Sequence, residues 1–167
     1  MRTLYITRHA KSSWDDPRAD DLHRPLNDRG QRDAPFMAQV FRSRNEPVDL
    51  LMSSTAVRAL TTAHLFANAL SVERSAVQED RMMYLAELPA LIKRVDQLPD
   101  SAKRVMLFGH NPGLSELVEF LGDADLGEIS TCAMVRIDLP INSWREASRG
   151  LGSVVWSDFP KRHKELQ

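Results

Sequence analysis

Thr3-Leu-Tyr-Ile-Thr7, running directly into Arg8-His9-Ala10-Lys11, is the stretch that decides how the rest of the chain is read. A short β-branched and aromatic run, apolar on both faces, has no side to give to solvent. It predicts a strand crossing a core, as parallel strands covered by helices do. Val48-Asp-Leu-Leu-Met52 and Val105-Met-Leu-Phe108 are two more runs of the same kind. Between them lie apolar residues at i, i+3, i+4, i+7: Ala34, Met37, Ala38 and Phe41; Leu88, Leu91, Ile92 and Val95; Leu114, Leu117, Val118 and Leu121. Residues 56–70 hold a looser stripe, with Ser53, Ser54 and Thr55 as capping candidates, and Asn27 is a candidate cap for the first helix. Pro35 lies inside that first helical pattern and predicts a kink or a delayed start. Ala133-Met-Val-Arg-Ile137 and Ser153-Val-Val-Trp-Ser157 read as two late strands, at least one at a sheet edge, and Lys161 to Gln167 as a frayed, charged tail. Strand alternating with helix predicts an α/β fold: a three-layer sandwich with a mostly parallel central sheet and helices on both faces. No linker or repeat divides residues 1–167, so one domain is expected.

Composition narrows the function. Of 167 residues, 43% are hydrophobic and 7% aromatic, the make-up of an ordinary globular protein. With one cysteine, Cys132, the chain has neither an internal disulfide nor paired zinc knuckles, and it contains no HExxH. The 22 Lys and Arg against 23 Asp and Glu give a formal charge of -1, which provides no overall field for nucleic acid or an anionic membrane. No apolar stretch approaches the roughly 20 residues of a membrane span, and Met1 leads into a strand and not a signal peptide, so a cytoplasmic location is expected. Any anion must be caught by a local cluster.

In an open α/β sheet such a cluster belongs beyond the carboxyl ends of the strands. The first strand ends in Arg8 and His9. The second runs into Ser53-Ser54-Thr55-Ala56-Val57-Arg58, and the third into Gly109-His110-Asn111-Pro112-Gly113. Three strands thus deliver Arg8, His9, Arg58 and His110 to one edge. An arginine in a first helical turn is usually solvated, and a lone histidine after a strand is usually structural. Yet a cation at the positive end of a helix dipole implies an anion nearby. Two arginines and two histidines together suit a phosphoryl group: guanidinium forks match its oxygens, imidazole can serve as nucleophile or donor, and surrounding positive charge keeps a histidine neutral. His64 and His163 read as packed or solvated, His23 as a loop residue near the site, Met82 and Met83 as core fillers. Tyr84 faces either the pocket or its neighbours.

Leu4-Tyr-Ile-Thr-Arg8-His9-Ala10-Lys11, Arg24-Pro25-Leu26 with Arg29-Gly30, Ser53-Ser-Thr-Ala-Val-Arg58-Ala-Leu-Thr-Thr-Ala63 and Gly109-His110-Asn-Pro-Gly113 together resemble the histidine phosphatase superfamily and, in the short form of the chain, its small SixA-type phosphohistidine phosphatase branch. The usual RHG of the family reads Arg8-His9-Ala10 here. The resemblance implies a phosphoglycerate mutase-like fold, and the 51 residues between Arg58 and His110 leave little room for the large helical insertion of bigger relatives. It implies a phosphatase in which His9 takes the phosphoryl group as a covalent phosphohistidine while Arg8, Arg58 and His110 hold the phosphate. Neither metal nor cofactor is needed, because side chains supply the positive charge. Asp21, in the spacing D-x-x-R-P-L, is one candidate proton donor, with Glu79, Asp80 and Glu87 as others. Asp21 and Arg24 alternatively pair to order the loop, and Arg24 is a candidate third phosphate ligand. A shallow, open pocket suits a phosphorylated protein, such as a histidine-phosphorylated signalling or phosphotransfer protein. The alternatives are a phosphomonoesterase acting on a small phosphorylated substrate and a non-catalytic phosphoryl-binding module.

Overall fold

The computed structural model describes residues 1–167. In chain order it contains β1 (Arg2–Arg8), α1 (Asp28–Ser43), β2 (Leu50–Ser54), α2 (Val57–Ala69), β3 (Gln78–Asp80), α3 (Leu88–Asp96), β4 (Arg104–Gly109), α4 (Gly113–Gly122), β5 (Met134–Leu139) and β6 (Ser153–Asp158), joined by loops and short 3-10 turns. The six strands form one sheet in the order β3-β2-β4-β1-β5-β6. The pairings among β3, β2, β4 and β1 are parallel, whereas β5 runs antiparallel to both β1 and β6. The expected sandwich with a mostly parallel sheet is therefore borne out.

The strands alternate sides as the pleat demands. Leu4 and Ile6 of β1 and Val105 and Leu107 of β4 pack into one apolar cluster with Leu91 and Val95 of α3 and Leu114 and Leu117 of α4. Tyr5, Met106 and Phe108 point the other way, into a second cluster with Met37 and Phe41 of α1 and Ala63 and Phe66 of α2. Because β1 and β4 are covered on both faces, their only polar outlet is at their ends. This places Arg8, His9 and His110 where the loops gather.

Two glycines permit the close approaches that shape that edge. A Cβ on Gly30, in the first turn of α1, would lie 2.1 Å from the Lys11 carbonyl oxygen. The same carbonyl accepts the Asn27 N–H at 3.0 Å, so the start of α1 is pinned to the loop behind His9. A Cβ on Gly113 would lie 2.2 Å from the Ala86 carbonyl oxygen. Without it, the loop carrying Tyr84 rests on the start of α4.

Several local expectations need correction. Pro35 does not delay α1, which begins seven residues earlier behind an Asn27 cap whose side chain accepts the Gly30 N–H. Pro35 is exposed, and α1 continues through it to Ser43. α2 is not capped by Ser53, Ser54 or Thr55; its N-cap is Ala56, which has no side chain to cap with, and Ser53 and Ser54 end β2. The strand predicted from Val48 starts at Leu50 because Asp49 turns its carboxylate onto the backbone N–H groups of Lys103 and Arg104. The tail is not frayed: His163 Nε2 lies 2.8 Å from Asp158 Oδ1 and Leu166 is buried. Met83 fills the core as expected, but Met82 is exposed.

Candidate active site

His9 follows the last residue of β1 and is buried, its backbone N–H held by the Gly109 carbonyl of β4 at 3.1 Å. Its Nδ1 lies 2.6 Å from the Ala10 carbonyl oxygen. A carbonyl only accepts, so Nδ1 carries the proton and the Nε2 of the neutral ring keeps its lone pair. The Ala10 peptide is itself held: its N–H donates to Thr62 Oγ1 at 3.1 Å, and the Thr62 hydroxyl donates to the Arg58 carbonyl at 2.8 Å. Thr62, inside the quoted Thr-Thr-Ala63 motif, thereby fixes the group that orients His9.

Arg58 occupies the second position of α2 and is almost wholly buried. The anion that its place on the helix dipole calls for is Asp21. Arg58 Nη1 donates to the Asp21 carbonyl at 2.6 Å and Nη2 to Asp21 Oδ2 at 2.9 Å. Asp21 also accepts from Arg24 Nε at 3.1 Å and from the Tyr84 hydroxyl at 2.5 Å. Burial works against its charge, but the Tyr84 and Arg58 hydrogen bonds, the Arg58 charge and Arg24 outweigh it and hold the carboxyl at about 2. At neutral pH Asp21 is an anion with no proton to give. The structure thus brings Asp21 and Arg24 into the site as an ordered pair and gives Asp21 the part of an acceptor that aligns two arginines.

Arg24 is buried and held on several sides. Nη1 donates to Ser12 Oγ at 2.8 Å, and the Trp14 ring lies over its guanidinium carbon, 3.4 Å from ring centroid. Trp14 itself is 72% exposed, an aromatic platform at the mouth of the site that sequence reading passed over. Arg8 is half-buried and turns Nη1 onto the Ile129 carbonyl at 2.9 Å. His110 is buried beside His9, their ring centroids 5.3 Å apart, with the Tyr84 ring edge-on at 5.7 Å. Of the two possibilities for Tyr84, the one realised is facing the site.

The remaining donor candidates lie elsewhere. Asp80 caps the turn after β3 through the Met82 N–H and pairs with Arg94 at 3.1 Å. Glu79 and Glu87 are exposed. His23 pairs with Asp20 on the surface, and His64 lies half-buried in α2.

Burial, more than positive charge, keeps the two site histidines neutral. It pulls His9 down to about 4 against the hydrogen bond to Ala10, with Arg58, Arg8 and Arg24 adding to it. His110 falls to about 3, again chiefly by burial, with His9 and Arg58 contributing. Both values lie below the ordinary 6.5, so as pH falls the unfolded chain takes up these protons first. Stability held above that value is therefore lost progressively as pH drops from about 6.5 towards 4. A urea midpoint clearly lower at pH ~5 than at pH ~7.5 is the expected result; equal midpoints would contradict the buried, neutral pair.

Three buried nitrogens at this edge have no partner within the protein: Arg8 Nε, Arg58 Nε and His110 Nδ1. Buried polar atoms are normally paired, and these belong to three of the residues gathered around His9. Their chemistry suits an oxyanion, and every charge they carry is supplied by side chains.

Residues 4–83 match the family model of the histidine phosphatase superfamily (branch 1). Among curated proteins, an uncharacterized chloroplastic protein of Arabidopsis thaliana is 27% identical, covering 93% of this chain and 74% of that protein. An uncharacterized protein of Mycobacterium tuberculosis is 26% identical over 92% of this chain and 99% of its own. Among solved structures, the protein histidine phosphatase SixA complexed with tungstate superposes with a TM-score of 0.81 at 20% identity, covering 96% of this chain and 98% of that one. A mycobacterial glucosyl-3-phosphoglycerate phosphatase gives 0.65 at 16% identity, with 92% and 97% covered. The resemblance read from the sequence is borne out, as is the phosphoglycerate mutase-like fold without a large insertion.

Proposed function

We propose that this chain, a match to the histidine phosphatase superfamily with the fold of SixA, is a phosphatase whose substrate is a phosphohistidine carried by a protein. His9 Nε2 attacks phosphorus and the P–N bond of the substrate breaks. The substrate imidazole leaves with a proton from solvent. Water then displaces the phosphoryl group from Nε2, releasing inorganic phosphate and restoring the neutral ring. Arg8, Arg24, Arg58 and His110 hold the equatorial oxygens, as phosphoryl transfer chiefly needs positioning and fixed charge.

The observation that carries this reading is the His9 ring: buried, neutral, its Nδ1 proton committed to the Ala10 carbonyl and its Nε2 left as the nucleophile amid arginines. The state of Asp21 supports the substrate class. A carboxyl held at about 2 cannot protonate an alkoxide leaving group, whereas a phosphoramidate nitrogen is readily protonated by solvent. The likeness to a protein histidine phosphatase that binds tungstate, a tetrahedral oxyanion, points the same way.

A substrate panel run in chelator tests it. A general acid contributes about 10²–10⁴-fold, so kcat/KM for a phosphohistidine protein should exceed that for a phosphoserine peptide by at least about 10². Comparable or higher rates on phosphoserine or on a small phosphorylated metabolite would overturn the substrate assignment. Activity abolished by chelator would overturn metal independence.

A further inference from the structure

The two site histidines lie side by side, yet their hydrogen bonds are opposite in kind. His9 gives its Nδ1 proton to a carbonyl. His110 presents Nε2 to Ser54 Oγ at 2.8 Å, while its own Nδ1 is buried without a protein partner. Ser54 ends β2 and is fully buried. Its hydroxyl oxygen accepts the Ala56 N–H at the start of α2, at 3.2 Å. These are the two hydrogen bonds of that hydroxyl. With the Ala56 N–H already a donor to it, its single proton needs an acceptor, and His110 Nε2 is the group within reach. The reverse arrangement, Nε2–H donating to Ser54, would leave the hydroxyl proton unpaired in a buried site. It would also turn an Nδ1 lone pair towards the place where an oxyanion sits, a repulsive contact.

We infer that Ser54 is a positioning residue that fixes His110 in the tautomer with its proton on Nδ1, making the ring a neutral donor to a phosphoryl oxygen beside the Nε2 nucleophile of His9. The tautomer assignment stands on the hydrogen-bond geometry; its use in catalysis rests on the phosphatase reading above. The backbone makes the arrangement reproducible. β2 pairs with β4 in register through Ser53 and Phe108, so the residue after Ser53 lies beside the loop that carries His110. The Ser53 hydroxyl donates to the Ser54 carbonyl at 2.8 Å and steadies the same strand end. The start of α2 thus supplies both Arg58 and, through Ala56 and Ser54, the orientation of His110.

Heteronuclear NMR of the imidazole nitrogens in the intact protein at neutral pH, with His110 assigned by comparison with His110→Gln, reads the tautomer directly. Protonated-type Nδ1 and unprotonated-type Nε2 signals are expected for His110, and the same pattern for His9. In Ser54→Ala the His110 signals should shift towards a mixture of tautomers. Affinity for inorganic phosphate should fall about tenfold, the worth of one neutral hydrogen bond, and Ser54→Thr, which keeps the hydroxyl, should restore most of it. A wild-type His110 carrying its proton on Nε2 would overturn the inference without need of any variant. So would a folded Ser54→Ala protein with unchanged His110 signals and full phosphate affinity. The expected tautomer in a protein with no phosphatase turnover would count against the functional reading and leave this assignment standing.

Discussion

Replacing His9 with alanine is expected to lower turnover at least about 10⁴-fold, as loss of a covalent nucleophile does when the rest of the site remains. The size follows from what stays behind. Arg8, Arg24 and Arg58 still surround the position and, on the proposed reading, would still hold phosphate, so the variant should bind inorganic phosphate within severalfold of the wild type while failing to turn substrate over. Nothing in the fold depends on the ring's chemistry. Its Nδ1 bond goes to a carbonyl that water can serve, and His9 resists protonation in the folded state, so the variant should be no more sensitive to acid than the wild type. Steady-state kinetics together with phosphate titration check both halves. Turnover within about tenfold of wild type would mean that the nucleophile lies elsewhere.

Arg58→Ala should cost about 10³-fold in kcat/KM, the scale on which an arginine stabilises phosphoryl transfer. Lysine should recover little of it. Arg58 uses both terminal nitrogens on Asp21, and its Nε is a further buried donor; a single ammonium cannot reproduce that fork. The substitution also strips Asp21 of its main partner. The carboxyl should then titrate closer to its ordinary 3.8, and the alignment of Arg24 and Tyr84 around it should loosen. The expected signature is therefore a fall in kcat joined to weaker phosphate binding, unlike His9→Ala, which separates the two. Equal kcat/KM for Arg58→Lys and wild type would show that the charge alone suffices.

Much of this architecture is legible in the residues. Thr3–Thr7 and Val105–Phe108 read as buried strands because both faces are apolar, and the sheet does cover both faces of each. The helical stripes at Ala34–Phe41, Leu88–Val95 and Leu114–Leu121 fall inside α1, α3 and α4. The gathering of Arg8, His9, Arg58 and His110 at one edge follows from where those strands end. What escaped depends on contacts between distant segments. Gln78–Asp80 carries no apolar signal; it is a strand only because β2 offers it a backbone edge. The reversed direction of β5 is set by residues 123–133, which bring the chain back to the end of β1 where Met134 pairs with Thr7, and periodicity does not encode that path. The ionised state of Asp21 follows from Arg58, 37 residues away, and from Tyr84, 63 away. Ser54 looked like a helix cap because serine before a helix usually is one, and only the alignment of β2 with β4 shows that its proton faces His110. The closing stretch, charged and polar to the eye, is held by the contact of His163 with Asp158, the hydrogen bond from Arg162 to the Ser157 carbonyl and the buried Leu166.

In the proposed reaction a phosphoryl group passes through a covalent bond to His9 Nε2. The direct test mixes the protein with a phosphohistidine substrate in chelator, quenches in alkali so that a P–N bond survives, and maps the labelled peptide by mass spectrometry. A phosphoryl adduct is expected on the peptide containing His9, lost on acid treatment and absent from His9→Ala. Steady turnover with no adduct on that peptide at any quench time, or an adduct on His110 instead, would contradict it.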